Sequence, residues 1–263
     1  MHLSRILAIA ISMTAATQAW SSDATHGNPP ASHGAGGAHW GYSGDEGPAH
    51  WGGLSSAYAA CGQGHMQSPI DIGHAREAGL VSLSVEWDVT PLEILNNGHT
   101  VQVDYAPGSW TRAALAEYQL LQFHFHTPSE HTVGGKPFPM EAHFVHKDKE
   151  GHLGVIGVMF KEGRENLALA EIWNHLPKEA GQHETHADVA VNGRDLLPRE
   201  RTFYRYSGSL TTPPCSEGVN WYVMAEPVEA SADQIKAFQS LFGANNRPVQ
   251  PLNNRLLLEG THR

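Results

Sequence analysis

From Trp40 onward, glycine, proline and asparagine cut the chain into short runs of alternating apolar and polar side chains, the pattern of many short paired strands. The runs at 81–87, 92–95, 100–105, 118–126, 140–147, 153–160 and 219–226 are predicted to be strands. Helical spacing is confined to two places. One is 164–175, where Leu167, Ile172 and neighbouring alanines recur on one face; the other is 231–242, which opens on Ser231 as an N-cap. No internal repeat is detectable, and the expectation is one β-dominated domain. Propensity alone leaves a sandwich and a barrel both open.

The N-terminus carries His2 and Arg5, an apolar run from Ile6 to Met13, and small residues ending at Thr17-Gln18-Ala19. This is the layout of a signal peptide, residues 1–19, cut after Ala19. The alternative is an uncleaved anchor, but the apolar stretch falls far short of the roughly 20 residues that a spanning helix needs. Residues 20–39 read as a flexible leader rich in His, Gly and Pro, with hardly a large apolar side chain from residue 21 on. The folded domain is expected over 40–263. An exported chain, periplasmic or secreted, meets an oxidising compartment, so its two cysteines, Cys61 and Cys215, are expected to pair. Closing so long a loop is worth about 5 kcal/mol in the chain-entropy model. The formal charge of −10 and the lack of any Lys/Arg run argue against nucleic acid or an anionic membrane as partner.

In Gln122-Phe123-His124-Phe125-His126, strand alternation puts Gln122, His124 and His126 on one face and the two phenylalanines on the other. Two imidazoles so placed can grip one ion, although a lone His-x-His among 18 histidines is weak evidence. Glu141-Ala142-His143, a further 17 residues on, lets a neighbouring strand supply a third imidazole. Three histidines without a fourth protein ligand leave one tetrahedral position open, as catalytic rather than structural zinc sites do. Glu141 is then a candidate acceptor for the outer nitrogen of a ligand histidine.

These segments, with Pro128-Ser129-Glu130-His131 and Glu141-Ala142-His143-Phe144-Val145-His146, resemble the metal-site strands of alpha-class carbonic anhydrases. Trp40-Gly41-Tyr42, Gln67-Ser68-Pro69-Ile70-Asp71-Ile72, Asn96-Asn97-Gly98-His99 and Ser209-Leu210-Thr211-Thr212-Pro213-Pro214-Cys215 resemble further motifs of that family, in the family's order. The resemblance implies a mixed fold dominated by β structure: a large central, mostly antiparallel twisted sheet with few peripheral helices. It implies one zinc ion per chain on His124, His126 and His143, and reversible hydration of carbon dioxide to bicarbonate by attack of zinc-bound hydroxide. Glu130 and Thr211 would gate the nucleophile, and His99 would shuttle the proton. Val145, Val155, Leu210, Thr212 and Trp221 would line the substrate pocket, with Tyr42, Asn97 and Gln122 as polar lining.

The short link Thr127-Pro128-Ser129 before Glu130 and the cysteine pair resemble bacterial secreted members, which implies a homodimer with only a small-molecule substrate. Gln102 departs from the asparagine of many animal members, which leaves the water network open. Pro69 and Pro214 resemble positions of cis peptides, though the dipeptides alone do not fix the isomer. Two other readings are a binding module on the same fold, against which all three ligand positions being histidine argues, and a zinc ester hydrolase, which wants a larger cleft.

Overall fold

The computed structural model describes residues 38–79, 83–113 and 116–260. The signal sequence predicted over 1–19, the leader as far as residue 37, and the first two residues of the strand predicted at 81–87 lie outside them. The described residues open with two short helices, α1 (Trp51–Leu54) and α2 (Ala60–Gln63), and two short strands, β1 (Asp71–Ile72) and β2 (Arg76–Ala78). Strands β3 (Leu83–Glu86), β4 (Thr90–Asn96), β5 (Val101–Asp104), β6 (Trp110–Ala113) and the long β7 (Ala116–His126) follow. The hairpin β8 (Thr132–Val133) and β9 (Lys136–Pro137) leads into β10 (Met140–Lys147) and β11 (Leu153–Glu162). Helix α3 (Leu167–Trp173) precedes β12 (His183–Val191), β13 (Phe203–Ser209), β14 (Glu217–Met224) and β15 (Val228–Ala230), and then come α4 (Ala232–Phe242) and β16 (Leu258–Gly260).

Among the described residues, thirteen strands form one sheet whose main path runs β12-β4-β5-β7-β10-β11-β14-β13-β16-β2. Nine of its twelve strand pairings are antiparallel; β11 with β14, β11 with β15 and β16 with β2 are parallel. The fold is therefore the mostly antiparallel sheet with few helices that the family resemblance implies, neither a sandwich nor a closed barrel.

β7 and β10 lie at the middle of the path, and their alternation divides the molecule. Phe123, Phe125, Ala142, Phe144, Ile156 and Val158 face the larger apolar cluster, which α3 and α4 cap with Leu169, Ile172 and Phe238. A register shift between Val145 and His146 sets His146 opposite Leu120 and brings Leu120 onto that same face. The other face carries the histidines and a smaller cluster that includes Ile70, Val155, Tyr206, Trp221 and Val223.

The seven strand expectations all fall on observed strands, and β10 spans 140–147 as expected. Helix α3 is shorter than the predicted 164–175. The Asn166 side chain accepts from the Leu169 N–H and so starts the helix there. At the far end Pro177 disfavours helical geometry at Leu176. Helix α4 opens with a reciprocal capping box between Ser231 and Gln234. The peptides before Pro69, Pro128 and Pro214 are cis, and Cys61 is bridged to Cys215.

Candidate metal centre

Adjacent strands assemble the centre. His124 on β7 lies directly opposite His143 on β10, and His126 lies opposite Glu141. Because cross-strand partners share a face, one antiparallel pair delivers three imidazoles and a carboxylate to one side of the sheet. One ring nitrogen from each of His124, His126 and His143 falls within 4.8 Å of the others.

The outer nitrogens are all engaged. His124 Nδ1 lies 2.9 Å from Gln122 Oε1, His126 Nδ1 2.8 Å from the Asn245 carbonyl oxygen, and His143 Nε2 2.9 Å from Glu141 Oε1. Each partner is an acceptor, so each outer nitrogen carries the hydrogen, and the remaining lone pairs converge from His124 Nε2, His126 Nε2 and His143 Nδ1. Burial is the main force keeping the rings neutral. It lowers His124 well below the usual histidine value, a trend the neighbouring His126 and His143 reinforce. It brings His126 down to about 4, and it lowers His143 against the opposing pull of Glu141.

Glu141 is fully buried and satisfied on every side. Its Oε1 takes the His131 Nδ1 hydrogen at 2.7 Å besides that of His143, and its Oε2 takes the backbone N–H groups of Glu130 and His131, each at 2.9 Å. Burial alone would raise its pKa, but His131 and His143, whose rings face it and donate to Oε1, hold it well below the usual carboxylate range. Glu130 is pushed up to about 7, with burial the largest cause and His143, Thr211 and the Arg247 amide opposing it. Thr211 thus faces this carboxylate closely enough to lower its pKa. The Glu130 Oε2 atom itself meets no donor at hydrogen-bonding distance, and lies 3.6 Å from His126 Nε2.

The donor set fits a divalent transition metal. Three neutral imidazoles with converging lone pairs are a zinc-type ligand set with an open fourth position. His126 Nε2 is buried with no hydrogen-bond partner, the orphaned polar atom that a cation would satisfy.

Val145 on β10, Val155 on β11 and Trp221 on β14 are successive register partners and form one apolar row beside the histidines. The Trp221 ring stands edge-on to His143 at 4.8 Å. Leu210 packs on the same cluster, and Thr212 is half-buried next to Thr211. Tyr42 reaches the site from the N-terminal segment, where burial and then the Glu130 charge hold its pKa well above the ordinary value. His99 lies apart from the three histidines, stacked on Trp40 at 3.7 Å and 8°. Asn245 nevertheless bridges them, giving its Nδ2 hydrogen to the His99 carbonyl at 2.9 Å while its own carbonyl holds His126. The Asn97 side-chain oxygen accepts from the His99 and Thr100 amides and so shapes the turn that carries His99. Gln102, opposite His124 in register, gives its Nε2 hydrogen to Asp104 Oδ1 at 2.6 Å.

Sequence reasoning missed Asn245, Arg247, His131 and Tyr206. His131 and Tyr206 share a hydrogen bond of 2.7 Å that joins the Glu141 network to β13. Asn245 and Arg247 sit in a segment without strand or helix, and their only sequence signal is an Asn-Asn-Arg-Pro run after the last helix.

Residues 46–260 match the family model described as eukaryotic-type carbonic anhydrase. The chain is 47% identical over 222 residues to a carbonic anhydrase of Pectobacterium carotovorum, covering 84% of this chain and 90% of the relative. A carbonic anhydrase of Nostoc sp. is 46% identical over 226 residues, covering 84% and 86%. Among solved structures, the alpha-carbonic anhydrase of Thermovibrio ammonificans in complex with sulfanilamide superimposes with a TM-score of 0.83 at 51% identity. That match covers 85% of this chain and 100% of that one.

Proposed function

The chain belongs to the alpha carbonic anhydrase family, and on that premise we propose that it reversibly hydrates carbon dioxide to bicarbonate and a proton at a zinc ion held by His124, His126 and His143. The observation that carries the reading is the convergence of three imidazoles whose outer nitrogens are already taken by acceptors. Bound there, zinc supplies Lewis acidity that lowers the pKa of water from about 15.7 to about 7, a general effect for which carbonic anhydrase is itself the standard example.

The protein's own residues do the rest. In its ionised form, which the Thr211 hydroxyl and the Arg247 amide favour against burial, Glu130 can only accept, so it takes the Thr211 hydroxyl hydrogen and leaves Thr211 Oγ1 as an acceptor facing the centre. Thr211 then admits a nucleophile with a hydrogen to give and turns its lone pair toward the substrate. Val145, Val155, Leu210 and Trp221, with the methyl-bearing Thr212, exclude water from the side where an apolar carbon dioxide molecule would sit. Glu141 fixes the His143 tautomer, and Gln122 fixes that of His124. His99 takes the released proton to buffer, held at the turn by Asn97 and beside Tyr42 at 6.3 Å between ring centres. Export to the periplasm or beyond is consistent with the Cys61–Cys215 bridge. No helix among the described residues is long and apolar enough to cross a membrane.

Metal analysis of the purified protein tests the assignment. About one zinc per chain is expected, lost in His143→Ala at unchanged far-UV circular dichroism. A wild-type protein that binds no zinc after metal loading contradicts it.

A further inference from the structure

Arg247 is 1% exposed, a rare setting for a guanidinium unless it is paired or fully hydrogen-bonded. Its side chain joins two pieces of main chain and the Gln67 side chain. Nη1 gives hydrogen bonds to Gln67 Oε1 at 2.9 Å and to the Ser68 carbonyl at 2.8 Å, and Nη2 gives one to the Cys61 carbonyl at 2.8 Å. The guanidinium also lies 5.7 Å over the Trp51 ring. Its backbone N–H, on the other side, donates to Glu130 Oε1 at 2.8 Å.

The Gln67-Ser68 segment is tied in turn to both ends of the stretch that carries Thr211. Ser68 and Ser209 exchange amide-to-hydroxyl bonds of 2.9 and 3.0 Å. Gln67 Nε2 donates to the Cys215 carbonyl at 3.1 Å, and the disulfide joins Cys215 to Cys61. Glu130 and Thr211 come from loops far apart in the chain, and Arg247 grips Glu130 directly and the anchor of the Thr211 loop through its guanidinium.

We propose that Arg247 is a positioning residue that sets the Thr211 hydroxyl in register with the Glu130 carboxylate. Its amide fixes the carboxylate, and its guanidinium fixes the Gln67-Ser68 segment from which the Thr211 loop hangs. The inference rests on the Glu130–Thr211 gate of the proposed function. A guanidinium suits the task because its planar fork holds several carbonyl oxygens at set angles, which a lysine ammonium does not reproduce. A lysine in its place keeps the charge and the backbone amide but loses the angular grip on the three acceptors.

A double-mutant cycle tests this on the zinc-loaded full protein, with zinc content and thermal midpoint recorded for every variant. Arg247→Lys is expected to lower kcat/KM for carbon dioxide hydration by about 10- to 100-fold, the scale of a displacement near 1 Å in a catalytic constellation. In a Thr211→Val background the same substitution is expected to cost less than about twofold, because contacting partners in one network are non-additive. A crystal structure of Arg247→Lys is expected to show Thr211 displaced from the Glu130 carboxylate. If Arg247→Lys does not fold, Gln67→Met, which removes one acceptor of the guanidinium, takes its place in the cycle. Equal losses in both backgrounds, or an unmoved Thr211, overturn the proposal and leave Arg247 a purely structural cation. A fully active Thr211→Val instead refutes the gate itself, and the proposal falls with it.

Discussion

His146 lies on β10, on the face opposite the three histidines, and offers a test of the core electrostatics that the metal site does not disturb. It is 1% exposed, with Nε2 at 2.9 Å from the Thr111 hydroxyl, which also accepts the Trp87 Nε1 hydrogen at 2.9 Å. Burial is the largest cause that lowers its pKa to about 4, against backbone hydrogen bonds to Phe144 and Gly154 that raise it. In the unfolded chain a histidine titrates near 6.5. Between those values the unfolded chain binds a proton that the folded chain refuses, so the contribution to stability is complete above about pH 6.5, declines as pH falls, and is gone below about pH 4. A gap of about 2.5 units at about 1.36 kcal/mol each corresponds to about 3 kcal/mol.

The perturbation is His146→Leu, which removes the titration. It strips the Thr111 hydroxyl of its ring partner, at a pH-independent cost of about 1–3 kcal/mol. Urea unfolding of both proteins between about pH 7 and pH 4 gives the difference in stability, from which the groups common to both cancel. The deficit of the variant is expected to shrink by up to about 3 kcal/mol as pH falls through this window. A deficit that stays constant from pH 7 to pH 4 refutes the reasoning.

Three further outcomes follow from the site. Glu141→Ala should weaken zinc binding by about 10- to 100-fold in chelator competition, because His143 loses the acceptor that orients it; unchanged affinity would show that Glu141 does not serve the ligand. His99→Ala should slow turnover in weakly buffered solution and recover on addition of imidazole, and an identical rate in poor buffer removes His99 from the proton path. Reduction of the Cys61–Cys215 bridge, which closes the loop only four residues past Thr211, should lower activity before far-UV circular dichroism reports unfolding. Coincident loss of the two signals would limit the bridge to global stability.

The central strands were readable because β7, β10 and β11 alternate cleanly and end at turn residues. The period-two rule puts His124 with His126 on one face of β7 and Glu141 with His143 on one face of β10, and the pairing of the two strands joins those faces. β12 escaped because it is an edge strand of polar residues, His183-Glu184-Thr185-His186, exposed or half-exposed over most of its length. Its register also breaks between His186 and Ala190, so no buried face imposes an alternation. β13 was missed because Arg205, Ser207 and Gly208 interrupt any apolar period. At the site, only features carried by strand alternation could be derived locally. Asn245 and Arg247 act through hydrogen bonds to partners 119 and up to 186 residues away, from a segment with no period of its own. Such contacts are set by tertiary folding, and nothing in the neighbouring residues encodes them.

Stopped-flow carbon dioxide hydration by the zinc-loaded protein, run beside a His124→Ala variant prepared identically, tests the central claim. Hydration well above the buffer rate that is lost with the His124 imidazole is the predicted result. A zinc-containing wild-type protein that does not accelerate hydration contradicts the account.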